Sequence, residues 1–110
     1  RPVIEIIKEN EITHDPIANV PFRVWYASNN TSTGEYNDLG VYYTDEEGRI
    51  VLSDPDISLR DGWFRVQEVE PAPGFALADP DTQEAFIAAG EGHTFRFTNR
   101  PLSAICVLEV

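Results

Sequence analysis

The sequence predicts an all-β chain folded as a single antiparallel β-sandwich, and three observations carry this. Hydrophobic residues recur with period two, as in "PFRVWYAS", "GWFRVQEVE" and "GHTFRFTNR". Such runs are short, and Pro-, Asp- and Gly-rich turns separate them: "HDP", "SDPD", "LRDG", "PAPG" and "ADPD". A chain of 110 residues, 42% hydrophobic, has enough apolar material for one core and not for two.

The elements follow in order. "VIEIIKEN" is the first strand, with Ile4 and Ile6 on its inward face. "PFRVWYAS" is the second, with Phe22, Val24 and Tyr26 inward. "SNNTSTGEYND", Ser28 to Asp38, is the longest polar stretch and is expected to be an exposed loop. "LGVYYT" and "RIVLS" flank "DEEG", a tight turn ending at Gly48, and read as a hairpin. "GWFRVQEVE" turns Phe64 and Val66 inward. "DTQEAFIAAGEG" fits a strand or a short helix; strand is preferred because it leads straight into "GHTFRFTNR", with Phe95 and Phe97 inward. The domain is expected to span residues 1–102. "SAICVLEV", residues 103–110, reads as a tail strand or the start of a linker to a following module.

Composition excludes several function classes. A net charge of −11 opposes binding to nucleic acid or to an anionic membrane surface. No apolar run approaches the roughly 20 residues of a membrane span, and no signal peptide is visible. The start at Arg1 suggests a fragment of something longer. Cys106 is the single cysteine, so an internal disulfide is impossible. His14 and His93 lack ligand spacing, and the Asp-Pro-Asp turns lack an EF-hand register; no metal or cofactor is expected. No phosphate loop, nucleophile elbow or dinucleotide motif suggests a turnover enzyme.

The chemistry lies in the polar residues that continue the inward faces. Lys8 follows Ile4 and Ile6, Glu68 follows Phe64 and Val66, and Asn99 follows Phe95 and Phe97. Each is the last inward position of its strand. Lys8 is also the only lysine; the other seven basic residues are arginines. A buried amine, carboxyl or carboxamide is costly alone, so three in one small domain suggest that they meet. By periodicity they are equally an ordinary ion pair of Lys8 with Glu68, with Asn99 as a turn residue.

Together these segments resemble a known family. "FRVQEVEPAPGF" is similar to the E-box of Cna-B domains, the SpaA-like or prealbumin-like (reverse immunoglobulin-like) modules of Gram-positive adhesins and pilins. Its aromatic, aliphatic, glutamate, proline, glycine and aromatic positions are Phe64, Val66, Glu68, Pro71 to Pro73, Gly74 and Phe75. "IEIIK" resembles the family's first strand with its lysine, "NVPFRVW" its second strand, "YYTDEEGRIVL" its hairpin, and "FRFTNRP" its closing strand. Val69 stands where a threonine is usual, and Val20 and Pro21 depart at a usual glycine.

The resemblance implies an intramolecular isopeptide bond. Lys8 would be the nucleophile, Asn99 the electrophile and Glu68 the catalyst. Lys8 and Asn99 are then expected on neighbouring parallel strands. A dry setting favours the neutral amine that must attack, and Phe22, Trp25, Tyr26, Phe64, Phe95 and Phe97 are candidates to supply it. A buried carboxyl that holds a proton would polarise the Asn99 carbonyl and pass a proton to the departing ammonia. The reaction happens once, so the protein is not an enzyme in the turnover sense. The implied role is a stalk or spacer module of a bacterial adhesin or pilin, extracellular and anchored to the cell wall. The implied form is a monomer, its partners neighbouring domains of the same protein and a host or matrix ligand of unknown identity. The alternatives are a ligand-binding adhesin module contacting through Ser28 to Asp38, and a carbohydrate-binding or accessory sandwich without the cross-link.

Overall fold

Among the described residues, alternate side chains of seven strands meet in one hydrophobic layer. The computed structural model describes residues 3–28, 35–53, 61–88 and 90–102. Most of the Ser28 to Asp38 loop, the first Asp-Pro-Asp turn and the whole 103–110 segment with Cys106 lie outside the described residues. The strands are β1 (Val3–Asn10), β2 (Pro21–Ser28), β3 (Asn37–Tyr43), β4 (Arg49–Leu52), β5 (Gly62–Glu68), β6 (Thr82–Ile87) and β7 (Gly92–Asn99).

They form two sheets, ordered β4-β1-β7 and β3-β2-β5-β6. All pairings are antiparallel except β1 with β7. The architecture is the predicted β-sandwich, and "TQEAFI" is a strand. Ile4, Ile6, Ile50, Leu52, Phe95 and Phe97 from the first sheet pack on Phe22, Val24, Phe64 and Val66 from the second. Each such side chain contributes roughly 1.5–3 kcal/mol when fully buried.

The "DEEG" segment corrects one expectation. It is a tight turn: Gly48 N donates to Asp45 O at 2.9 Å, and Asp45 Oδ1 accepts from Glu47 N and Arg49 N at 2.8 and 3.0 Å. Yet the strands it joins do not form a hairpin. β3 pairs with β2, while β4 pairs with β1 in the other sheet. The reason lies in the apolar alternates of β4. The register Ile4↔Leu52 and Ile6↔Ile50 seats Ile50 and Leu52 in the core beside the isoleucines of β1. The turn therefore carries the chain from one layer to the other.

Trp25 is a second correction. It was a candidate for the dry setting around Lys8, but it sits on the opposite face of β2 from buried Phe22 and Val24, 6.0 Å from the Arg65 guanidinium. Arg65 also lies 4.0 Å from the Tyr36 ring. The bulge between Val24 and Trp25 shifts the β2–β3 register there.

Candidate functional site

β1 and β7 run side by side in the same direction, with Lys8 opposite Phe97 and Asn10 opposite Asn99. Lys8 and Asn99 are thus diagonal neighbours on one pleated face. β5 approaches from the facing sheet and ends at Glu68. The inward alternation seen in the sequence therefore delivers all three polar groups to the same end of the core. Lys8 and Asn99 are 0% exposed and Glu68 1%.

One oxygen joins them. Lys8 Nζ donates to Glu68 Oε1 at 3.0 Å, and Asn99 Nδ2 donates to the same atom at 3.2 Å. A third donor, the backbone amide of Ala78, reaches it at 3.0 Å. Glu68 Oε2 and Asn99 Oδ1 are also buried, and neither has a hydrogen-bond partner among the described residues. Two buried acceptors without a donor are costly.

The backbone holds the three side chains in place. Lys8 N donates to Gly48 O at 2.8 Å, and Lys8 O accepts from Ile17 N at 3.1 Å. Gly48 has φ 72°, and a Cβ there would lie 2.5 Å from Lys8 O, so the turn backs directly onto Lys8. Glu68 N donates to Asp81 O at 2.8 Å, and Asn99 O accepts from Glu11 N at 2.8 Å. Phe22, opposite Glu68 on β2, and Phe97, opposite Lys8 on β7, pack ring to ring at 4.9 Å across the two sheets. These rings exclude water from the polar cluster.

Burial pushes the Lys8 amine below the ordinary lysine value, and the Glu68 carboxyl offsets part of that shift. This explains the choice of basic residue. Arg23, Arg49, Arg65, Arg96 and Arg100 all make surface ion pairs, where a permanent charge costs little. Among the described residues the one buried base is the residue type that can lose its proton. His93 is exposed at the entrance of β7, its ring edge-on to Phe95 at 4.6 Å. Among the described residues no cluster of His, Cys, Asp and Glu could hold a metal ion.

Residues 2–101 match the family model of the SpaA prealbumin-like fold domain. The chain belongs to this family. The SpaA-type fold is shared with solved pilin structures. A streptococcal ancillary pilin superposes with TM-score 0.70 at 23% identity, over 91% of this chain and 32% of that one. The minor pilin of Streptococcus agalactiae gives 0.69 at 18%, over 98% and 48%. The shaft pilin SpaA of Lactobacillus rhamnosus GG gives 0.65 at 11%, over 97% and 47%. This chain thus spans about a third to a half of those pilins, and at these identities the likeness is one of fold. No curated protein matches the sequence.

Sequence reasoning missed two contributors to this SpaA-type site: the Ala78 amide and Gly48. A backbone N–H carries no residue-type signature. The glycine was visible as a turn residue, but its contact with Lys8 depends on which sheet β4 joins.

Proposed function

We propose that this SpaA-type domain is a structural module of a bacterial surface protein or pilus, stapled by an isopeptide bond between Lys8 and Asn99. The observation that carries this reading is the sharing of Glu68 Oε1 by the Lys8 amine and the Asn99 carboxamide in a fully buried site. An ion pair alone does not need the carboxamide there.

Neutral Lys8 Nζ attacks Asn99 Cγ, and the new oxyanion is stabilised by the proton on Glu68. The attacking nitrogen loses a proton, which Glu68 relays to Nδ2. The Cγ–Nδ2 bond breaks and ammonia leaves. One amine and one carboxamide become one secondary amide and one ammonia, with Glu68 regenerated in its starting state. The close approach needed for attack is supplied by side chains already fixed on paired strands. The site acts once, on itself, and needs no cofactor.

The bond takes the place of a disulfide in a chain with one cysteine. It closes a loop of about 90 residues, for which the chain-entropy estimate is roughly 4–5 kcal/mol. Because Lys8 and Asn99 lie on adjacent parallel strands, tension between the chain ends would pass through the cross-link. This suits an extracellular, wall-anchored stalk whose partners are its neighbouring domains.

A tryptic map tests the connectivity. Cleavage after Lys8 should fail, and the peptide Arg1–Arg23 should appear joined to the peptide that begins at Phe97. Separate peptides ending at Lys8 and beginning at Phe97 would refute the cross-link.

A further inference from the structure

The segment between β5 and β6 does more than return the chain. Its base is closed by Glu68 N donating to Asp81 O at 2.8 Å. Its middle lies along the residues that follow β7. Leu102 N donates to Gly74 O at 2.8 Å, Ala76 N donates to Arg100 O at 2.9 Å, and Phe75 is bridged to Pro101. Phe75 packs against the core, and Ala72 and Ala78 are buried. From this strap the Ala78 amide reaches Glu68 Oε1 at 3.0 Å. One short segment is therefore bonded to the carboxyl of one sheet and to the residues immediately after Asn99 in the other.

We infer that residues 74–78 are a positioning strap, in which the Ala78 amide holds Glu68 Oε1 as an acceptor and leaves Oε2 to carry the proton. The inference rests on the cross-linking reading above and adds a residue to it. Its physical basis is an asymmetry: among the described residues Oε1 has three donors and Oε2 has none. Lys8 Nζ and Asn99 Nδ2 both change during the reaction, since one becomes an amide and the other departs. The Ala78 amide alone stays the same throughout. It keeps the carboxyl from rotating while the proton moves, and a backbone donor fixed by neighbouring hydrogen bonds needs no reorganisation. Closure of the strap on residues 100–102 also places the electrophile, so catalyst and substrate are brought into register by the same contacts.

The test uses the full chain assembled chemically in denaturant, folded by dilution, with loss of ammonia followed by intact mass over time. Two changes at one position separate the hydrogen bond from packing. An ester in place of the Ala78 amide keeps the methyl group and removes the N–H; Ala78→Gly keeps the N–H and removes the methyl group. The ester should slow the reaction by about tenfold or more, while Ala78→Gly should react close to the parent rate. An ester chain that reacts at the parent rate would overturn the inference and leave the Lys8–Asn99 bond standing. Equal slowing by both changes would assign the effect to packing and also overturn it. A parent chain that never loses ammonia would remove the cross-linking reading itself. Hydrogen exchange in the folded parent provides a measurement independent of the variants. The Ala78 amide should be strongly protected, and exchange at the rate of a free amide would contradict the strap.

Discussion

Lys8 and Glu68 come from opposite sheets, yet their buried side chains are joined by a 3.0 Å hydrogen bond. The pair spans the core where the closing strand of one sheet meets the end of β5. An amine in this position is held below its ordinary pKa by desolvation, against the pull of the carboxyl.

That shift gives a stability signature in a chain that cannot cross-link. Asn99→Ala retains both Lys8 and Glu68. Its folded state binds fewer protons than its unfolded state between the lowered folded pKa and the ordinary value of 10.5. The stability contribution of Lys8 therefore rises with pH through that window and is lost as pH falls below it. Urea unfolding should show this rise in Asn99→Ala and not in the parent, where the Lys8 nitrogen is an amide that no longer titrates. The same pH slope in both proteins would contradict the assignment.

Glu68→Gln separates catalysis from ion pairing. It nearly preserves shape and removes the titratable proton. The variant should fold, keep its full calculated mass, and be less stable than the parent by roughly 4–5 kcal/mol. Lys8→Ala and Asn99→Ala should show similar losses and become more sensitive to protease. If Glu68 merely balanced a charged Lys8, the parent and Glu68→Gln would both keep full mass. The substitution would then strand an ammonium at a cost of a few kcal/mol. Ammonia loss from Glu68→Gln at the parental rate would rule out the catalytic role.

Gly48 tests how tightly Lys8 is held from behind. At φ 72° a Cβ would meet Lys8 O at 2.5 Å and Ile17 N at 3.0 Å, both backbone atoms that cannot swing aside. Gly48→Ala should cost on the order of 2–3 kcal/mol or more and slow the loss of ammonia by displacing Lys8. Parental stability and rate in this variant would show that the turn yields freely.

Much of this site was legible because strand alternation is strict. Ile4 and Ile6 fix the direction of Lys8, Phe64 and Val66 that of Glu68, and Phe95 and Phe97 that of Asn99; the structure places all three at one end of the core. The sandwich was legible for the same reason. The sheet assignment of β4 was not, because Ile50 and Leu52 state only that one face is buried and not which strand lies beside it. Trp25 does not belong to the dry setting around Lys8: the alternation of Phe22, Val24 and Tyr26 already turns it outward, and the Arg65 guanidinium lies beside it. The strap was illegible because it works through main-chain groups of Gly74, Ala76 and Ala78, whose side chains say nothing about their partners.

Mechanical extension offers a further check. With the Lys8–Asn99 bond in place, force applied at the termini should leave the loop between them folded away. In Asn99→Ala the same pull should release about 90 residues, on the order of 300 Å of extra contour length. An extension of that size in the parent would mean that the ends are not joined.

The most direct measurement is the intact mass of the folded parent chain. The folded parent should be lighter than its calculated mass by one ammonia, with Lys8→Ala, Glu68→Gln and Asn99→Ala each at their full calculated masses. A parent chain at its full calculated mass would rule out the Lys8–Asn99 bond, leaving Lys8, Glu68 and Asn99 as a buried hydrogen-bonded cluster and nothing more.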